Sequence, residues 1–145
     1  MPIRNFPIQA AGPFSVPSPV LPIVIRNPAN NFPFQTWALI DTGADRTAIP
    51  GFIARRLGHE IGQGKYSCGC TASGNADVYA HTCRIDILGI DNKGEPNNKT
   101  IITIPDRPID VIENLHCVLL GVSDFLCDYV LEIDYPAKVF SIRRK

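Results

Sequence analysis

Long apolar runs are missing from this chain of 145 residues. Hydrophobic residues make up 45% of it, yet uninterrupted stretches reach only a few residues, as in Cys117-Val118-Leu119-Leu120. No segment therefore reads as a bilayer-spanning helix. The opening "MPIRNFPIQAAGPF" carries one early Arg but is broken by Pro and Gln, so it lacks the continuous apolar core of a secretory signal. An excess of either charge is missing as well, since 14 basic and 14 acidic residues are scattered to a formal net charge of zero. That excludes the electrostatic footprint of a nucleic-acid or anionic-membrane binder, and the terminal "RRK" is too short to supply one. The expected location is cytoplasmic, with no membrane and no nucleic acid among the partners.

A sustained 3.6-residue apolar period and an internal repeat are also absent, which excludes a helical bundle and a solenoid. The five cysteines are an odd number without an export signal, so they read as thiols in a reducing compartment rather than a disulfide framework. The sequon "NKT" at Asn98 to Thr100 has no meaning without secretion. The length fits a single domain with a core that needs neither disulfide nor metal staples.

What the chain does have is proline early and β-rich runs later. Pro2, Pro7, Pro13, Pro17, Pro19 and Pro22 crowd the first 22 residues, a density at odds with helix or a central strand, so residues 1–22 are expected to form an extended arm. Three roles are open to that arm: lying along the domain, bridging to a partner, or serving as a removable leader. From Ile23 onward, the main domain of residues 23–145 alternates short strands with turn signals. "IPGFIARRLG" predicts a short helix, with Pro50 suited to its first turn and Gly58 to its stop. "KYSCGCTASGNADVYAHTCRIDI" predicts a hairpin with the small, polar tip Thr71 to Asn75. "TIITIPDRPIDVIE" and "HCVLLG" supply further strand and "SDFLCD" a helical turn. "YVLEIDYPAKVFSIRRK" closes the chain as a hairpin around Tyr135 to Lys138.

One stretch needs a special explanation: "WALIDTGADRTAIP", residues 37 to 50. Apolar Trp37-Ala38-Leu39-Ile40 stops abruptly at Asp41-Thr42-Gly43, and a second acid follows at Asp45. Asp and Gly favour turns in any case, and the tripeptide alone arises by chance in roughly a few per cent of chains this long. The surroundings say more. An apolar strand leads in, a small residue and an acid lead out, and Leu119-Leu120-Gly121 follows later with Asp124-Phe125-Leu126 behind it.

On "LIDTGA" and "LLG", in that order with a hairpin between them, the chain resembles the retropepsin-like aspartic proteases over about residues 23 to 145. The resemblance implies a mainly β, closed β-barrel-type domain with a flap hairpin and one or two short helices. It also implies an aspartic endopeptidase in which two carboxylates a few ångströms apart share one proton, one acting as general base on a water and the other as general acid. The chain holds one such motif, so the second Asp41 is expected from another copy of it in an isologous homodimer. Within the motif, Thr42 is implied to hydrogen-bond across the two-fold axis, and Gly43 to leave room for the substrate backbone. Substrate binding falls to Ala44, Asp45 and Arg46, to Ala72, Ser73 and Gly74 at the flap tip, and to Leu120. The implied substrate is an extended peptide, and neither cofactor nor metal is expected. Two features depart from the retroviral pattern. The Arg that commonly follows apolar-apolar-Gly is Val122 here, then Ser123, which deprives Asp45 of its expected partner. The tail past Phe125 is long, closer to bacterial members than to the retroviral end.

Other interpretations stand beside these. Asp45 also suits a turn cap or a salt bridge, and the flap tip an ordinary hairpin turn. Cys68 and Cys70 on one arm and His81 and Cys83 on the other share a face by strand parity, which fits a zinc site, a redox-sensitive disulfide or simple buried fillers. Cys-x-Cys is tighter than structural-zinc spacing, so no metal site is assigned. His59 or His116 with Cys117 or Cys127 invites a Cys/His hydrolase, but neither Cys shows a helix start or glycine-rich elbow to activate it. Against the protease stand a non-catalytic dimerisation or peptide-binding module of the same fold, and a metal- or redox-responsive protein.

Overall fold

The computed structural model describes residues 3–145, so Met1 and Pro2 of the proline-rich stretch lie outside the described residues. In chain order the strands are β1 (Ile3–Pro7), β2 (Val20–Arg26), β3 (Pro33–Ile40), β4 (Ala48–Pro50), β5 (Lys65–Thr71), β6 (Gly74–Ile90), β7 (Pro96–Ile112), β8 (Val118–Leu120), β9 (Tyr129–Asp134) and β10 (Val139–Arg144). A helix, α1 (Gly51–Arg56), follows β4 directly.

Neighbouring strands run in the order β2-β3-β8-β4-β7-β6, and a further pairing of β2 with β6 closes the ring into a six-stranded barrel. β5 continues the sheet beyond β6 as one arm of a hairpin. Most pairings are antiparallel, but β8 enters between β3 and β4 and runs parallel to β3, while β4 runs parallel to β7. A second, three-stranded sheet has the order β1-β10-β9.

Closure explains why the strands are so rich in isoleucine. Ile23, Ile25, Ile49, Ile85, Ile87 and Ile109 have no exposed surface, and Val111, Val118 and Leu120 join them in one core. β-branched side chains suit a pleated surface, and burying each one contributes about 2 kcal/mol. Ile3, Phe140 and Ile142 carry the same core into the second sheet.

The proline-rich stretch is tied down at both ends rather than extended throughout. β1 pairs with β10, and Gln9 bridges Ser18. β2 begins at Val20 and takes in Pro22, which faces Trp37 of β3. The ladder to β6 starts only at Ile23, so the missing N–H of Pro22 falls where the strand has one neighbour, as proline requires.

The remaining elements lie close to their expected places. Pro50 sits at the N-cap position, one residue before the first turn of α1, and Gly58 ends its last turn with a φ of +82°. The long hairpin turns at Ala72 and Ser73, with Thr71 opposite Gly74, tighter than the tip expected from Thr71 to Asn75. β9 and β10 form the closing hairpin, and Leu126–Asp128 is a single helical turn. No helix of the described residues is long and apolar enough to cross a membrane.

Candidate active site

Ile40 is the last core residue of β3, and the chain leaves the barrel at the next position. Asp41 is half-buried, and its N–H donates to the Leu120 carbonyl at 3.1 Å, which anchors the end of β3 to the end of β8. Its carboxylate Oδ1 accepts the Gly43 N–H at 2.9 Å, and its carbonyl accepts the Ala44 N–H at 3.2 Å. Thr42 and Gly43 are exposed at the bend. An apolar strand has carried a carboxylate to the rim of the barrel, where a backbone donor fixes its direction.

The rest of the loop is fastened to the segment after β8. The Ala44 carbonyl accepts the Val122 N–H at 2.9 Å, and the Asp45 carbonyl accepts both the N–H and the hydroxyl of Ser123, at 2.8 and 2.7 Å. At Thr47, which is fully buried, the backbone N–H donates to both carboxylate oxygens of Asp124, at 3.1 and 2.9 Å. Gly121 is essential to this approach, because a Cβ there would sit 2.6 Å from the Arg46 carbonyl oxygen and 2.7 Å from the Thr47 nitrogen.

The structure groups some of the expected site residues and separates others. Asp41 to Asp45 form one continuous loop with Leu120 beneath it, but the Leu120 side chain has no exposed surface and contributes its carbonyl instead. Arg46 turns to β7, where Nη2 lies 3.2 Å from Asp110 and donates to the Pro108 carbonyl at 3.3 Å. The Asp45 side chain has no ion pair among the described residues, consistent with Val122 in place of a cation. Ser123 secures its backbone instead. Ala72, Ser73 and Gly74 are exposed, and the hydrogen bonds at the tip are local: Thr71 Oγ1 donates to the Gly74 carbonyl at 2.8 Å and accepts the Ser73 N–H at 3.3 Å.

Thr47, Ser123, Asp124 and Arg107 escaped the sequence analysis as parts of the site. Asp124 stood only as context after the Leu-Leu-Gly motif, and pairing it with a residue 77 positions earlier needs the fold.

The Cys/His alternatives fare differently. Cys117 is half-buried, and its thiol is pushed up first by burial and then by the negative charge of Asp41, which keeps it protonated beside the candidate site. His116 is exposed. Cys68 and Cys70 are exposed opposite Asp77 and Asn75, away from Cys83. Cys83 is buried, and its Sγ lies 3.4 Å from His59 Nε2. Burial pushes the Cys83 thiol up to about 12, so it stays protonated beside His59. The His59 and His81 ring centroids are 4.7 Å apart, and His81 Nε2 donates to the Ile61 carbonyl at 2.9 Å. These imidazoles line an open cleft of about 600 Å³ with Asn27, Glu60 and Gln63. Among the described residues no three His, Cys, Asp or Glu side chains are arranged to hold a metal ion.

No family model and no curated protein matches the chain. Among solved structures it is similar to a retropepsin-like aspartic protease from Rickettsia conorii, at a TM-score of 0.56 and 22% identity over 86% of this chain and 89% of that one. The fold is therefore retropepsin-like. Similarity to the EIAV protease in complex with the inhibitor HBY-793 is weaker, at a TM-score of 0.44 and 20% identity over 72% of this chain and 81% of that one, and carries no inference.

Proposed function

We propose that the protein is an aspartic endopeptidase whose active site is completed by a second copy of the chain. One observation carries this reading: a retropepsin-like barrel delivers a single, half-buried Asp41 to its rim in a loop tied to the end of β8 and the segment that follows it. One carboxylate cannot serve as both base and acid in the same step. Two brought together across a two-fold axis can, because their mutual repulsion leaves one protonated and one ionised. The ionised carboxylate takes a proton from water as its oxygen attacks the peptide carbonyl, and the protonated one passes its proton on toward the departing amine. Thr42, exposed at the bend, would bond across the axis, and Gly43 would admit the substrate backbone. An extended peptide would lie along Ala44, Asp45 and Arg46, covered by the hairpin tip at Ala72, Ser73 and Gly74 acting as a lid. The proposed setting is cytoplasmic, with neither nucleic acid nor membrane as partner, and with residues 23–145 forming the protease domain.

The unpaired Asp45 side chain favours a second reading, a peptide-binding or dimerisation module that keeps the fold without the chemistry. A general peptide library, incubated with and without pepstatin, separates the two. Asp41→Asn should fold as the wild type does and lose about a thousandfold or more of its hydrolysis rate, since an amide of the same shape cannot act as base. Turnover near the wild-type rate in that variant would eliminate the dyad.

A further inference from the structure

Asp41 to Thr47 is held differently at its two ends. At Asp41 a single backbone bond joins the loop to β8. Through the middle, Ala44 and Asp45 contribute only carbonyls, to Val122 and Ser123. At Thr47 the bonds converge. Its N–H meets both oxygens of the Asp124 carboxylate, its hydroxyl donates to Asp124 Oδ1 at 2.7 Å, and the same hydroxyl accepts the Gly121 N–H at 3.1 Å. A hydroxyl has one proton, and here it goes to the carboxylate, leaving a lone pair for Gly121. The Thr47 N–H and hydroxyl and the Gly121 N–H each have a partner in this knot. From behind, Arg107 of β7 donates Nη1 to the Asp124 carbonyl at 2.7 Å, tying the knot to the barrel wall.

Hydrogen bonds to a carboxylate are about twice as strong as neutral ones, so the Thr47 end is the stiffer of the two. We infer that Asp124 is a positioning residue for the proposed reaction: through Thr47 and Gly121 it sets where the loop lies and hence how far apart the two Asp41 carboxylates stand. This rests on the dyad reading above. Symmetry amplifies the effect, because a loop displaced from a two-fold axis moves its partner by the same amount in the opposite direction, so the carboxylate separation changes by twice the shift. Coupling between two charges falls as the inverse of their separation. A loosened loop should therefore leave a fingerprint in the acid–base behaviour of the pair, which a merely structural defect would not.

The test is the pH dependence of kcat/KM for peptide hydrolysis by the wild type, Asp124→Asn, Thr47→Val and Thr47→Ser. Asp124→Asn turns an amide N–H toward the Thr47 N–H. Thr47→Val removes the hydroxyl at constant volume and charge, while Thr47→Ser keeps it. In a dyad, the two limbs of a bell-shaped profile belong to the shared proton. Widening a separation of about 3 Å by about 1 Å should bring the limbs closer by roughly half a pH unit to one unit in total. In Asp124→Asn and Thr47→Val, kcat should fall about tenfold to a hundredfold with little change in KM, and Thr47→Ser should restore the full width. Loss of amplitude at unchanged width in both weakened variants would overturn the inference. So would limbs that move together in Asp124→Asn and stay still in Thr47→Val, the signature of a distant charge. A wild type that cleaves no peptide would overturn the dyad reading and this inference with it; a cleaving wild type with variants of unchanged width would overturn this inference alone.

Discussion

The loop from Asp41 to Thr47 and the hairpin tip from Thr71 to Gly74 are both short turns at the ends of strands, and they are built in opposite ways. The loop gives up its freedom to residues far along the chain: Leu120, Val122, Ser123 and Asp124 each bond to it. Among the described residues the side-chain hydrogen bonds at the tip are local, made by the Thr71 hydroxyl to Ser73 and Gly74 and by the adjacent Cys70 to the Thr71 carbonyl, and Gly74 adopts a φ of +113°, in the region glycine favours. The proposed meeting of two carboxylates at short range calls for the first construction, and the proposed lid over an extended peptide for the second. The difference therefore lies in where the bonds go rather than in the turn residues, which are mostly small in both.

Gly121→Ala strikes hardest at the fixed region. Its methyl group would collide with the Arg46 and Thr47 backbone, and neither can retreat without releasing the Asp124 bonds. A loss of about 2 to 3 kcal/mol is expected in urea unfolding, since close-packed backbone has no space to offer. A loss under about half a kcal/mol would mean that the loop yields easily, and the contrast with the tip would fail.

The root of the hairpin should respond to acid. Burial, and then the neighbouring His81, hold His59 below its ordinary value of 6.5, so the folded chain favours the neutral ring. The unfolded chain takes up that proton first as pH falls. The stabilisation is thus complete above about 6.5 and is lost on acidification below it. The urea midpoint of the wild type should fall more between about pH 7 and about pH 5 than that of His59→Gln. Equal falls would show that burial and the neighbouring His81 do not hold His59 neutral.

Gly74→Ala should have the smallest effect. A side chain at positive φ costs about 1 kcal/mol, and the tip's bonds are expected to carry no strain to the loop. Amide exchange at Thr47, Gly121 and Val122 should remain as slow as in the wild type. Faster exchange at Thr47 in the variant would show that the two regions are coupled.

Local signals made much of this fold legible. Pro50 and Gly58 bracket α1, the small residues before Ala76 mark the hairpin turn, and Tyr135 to Lys138 mark the closing one. The Asp41 bend was legible for the same reason, as an apolar run that stops at Asp-Thr-Gly. Long-range pairings left no such mark. Nothing in Val118 to Leu120 announces a strand inserted between β3 and β4, and nothing in Arg46 announces Asp110 as its partner. Proline density argued for an arm, whereas the pairing of Ile3 with Ile142 depends on residues at the opposite end of the chain. Strand parity put His81 and Cys83 on a face with Cys68 and Cys70, but distance along the arm parted them and His59 took their place.

If one chain holds half a site, mixing will show it. Wild-type and Asp41→Asn chains, allowed to exchange subunits well above the dimer dissociation constant, should give activity that follows the square of the wild-type fraction. An equal mixture should retain about a quarter of the wild-type activity. Retention of half, with subunit exchange shown independently, would mean that a single Asp41 suffices and would contradict the paired active site.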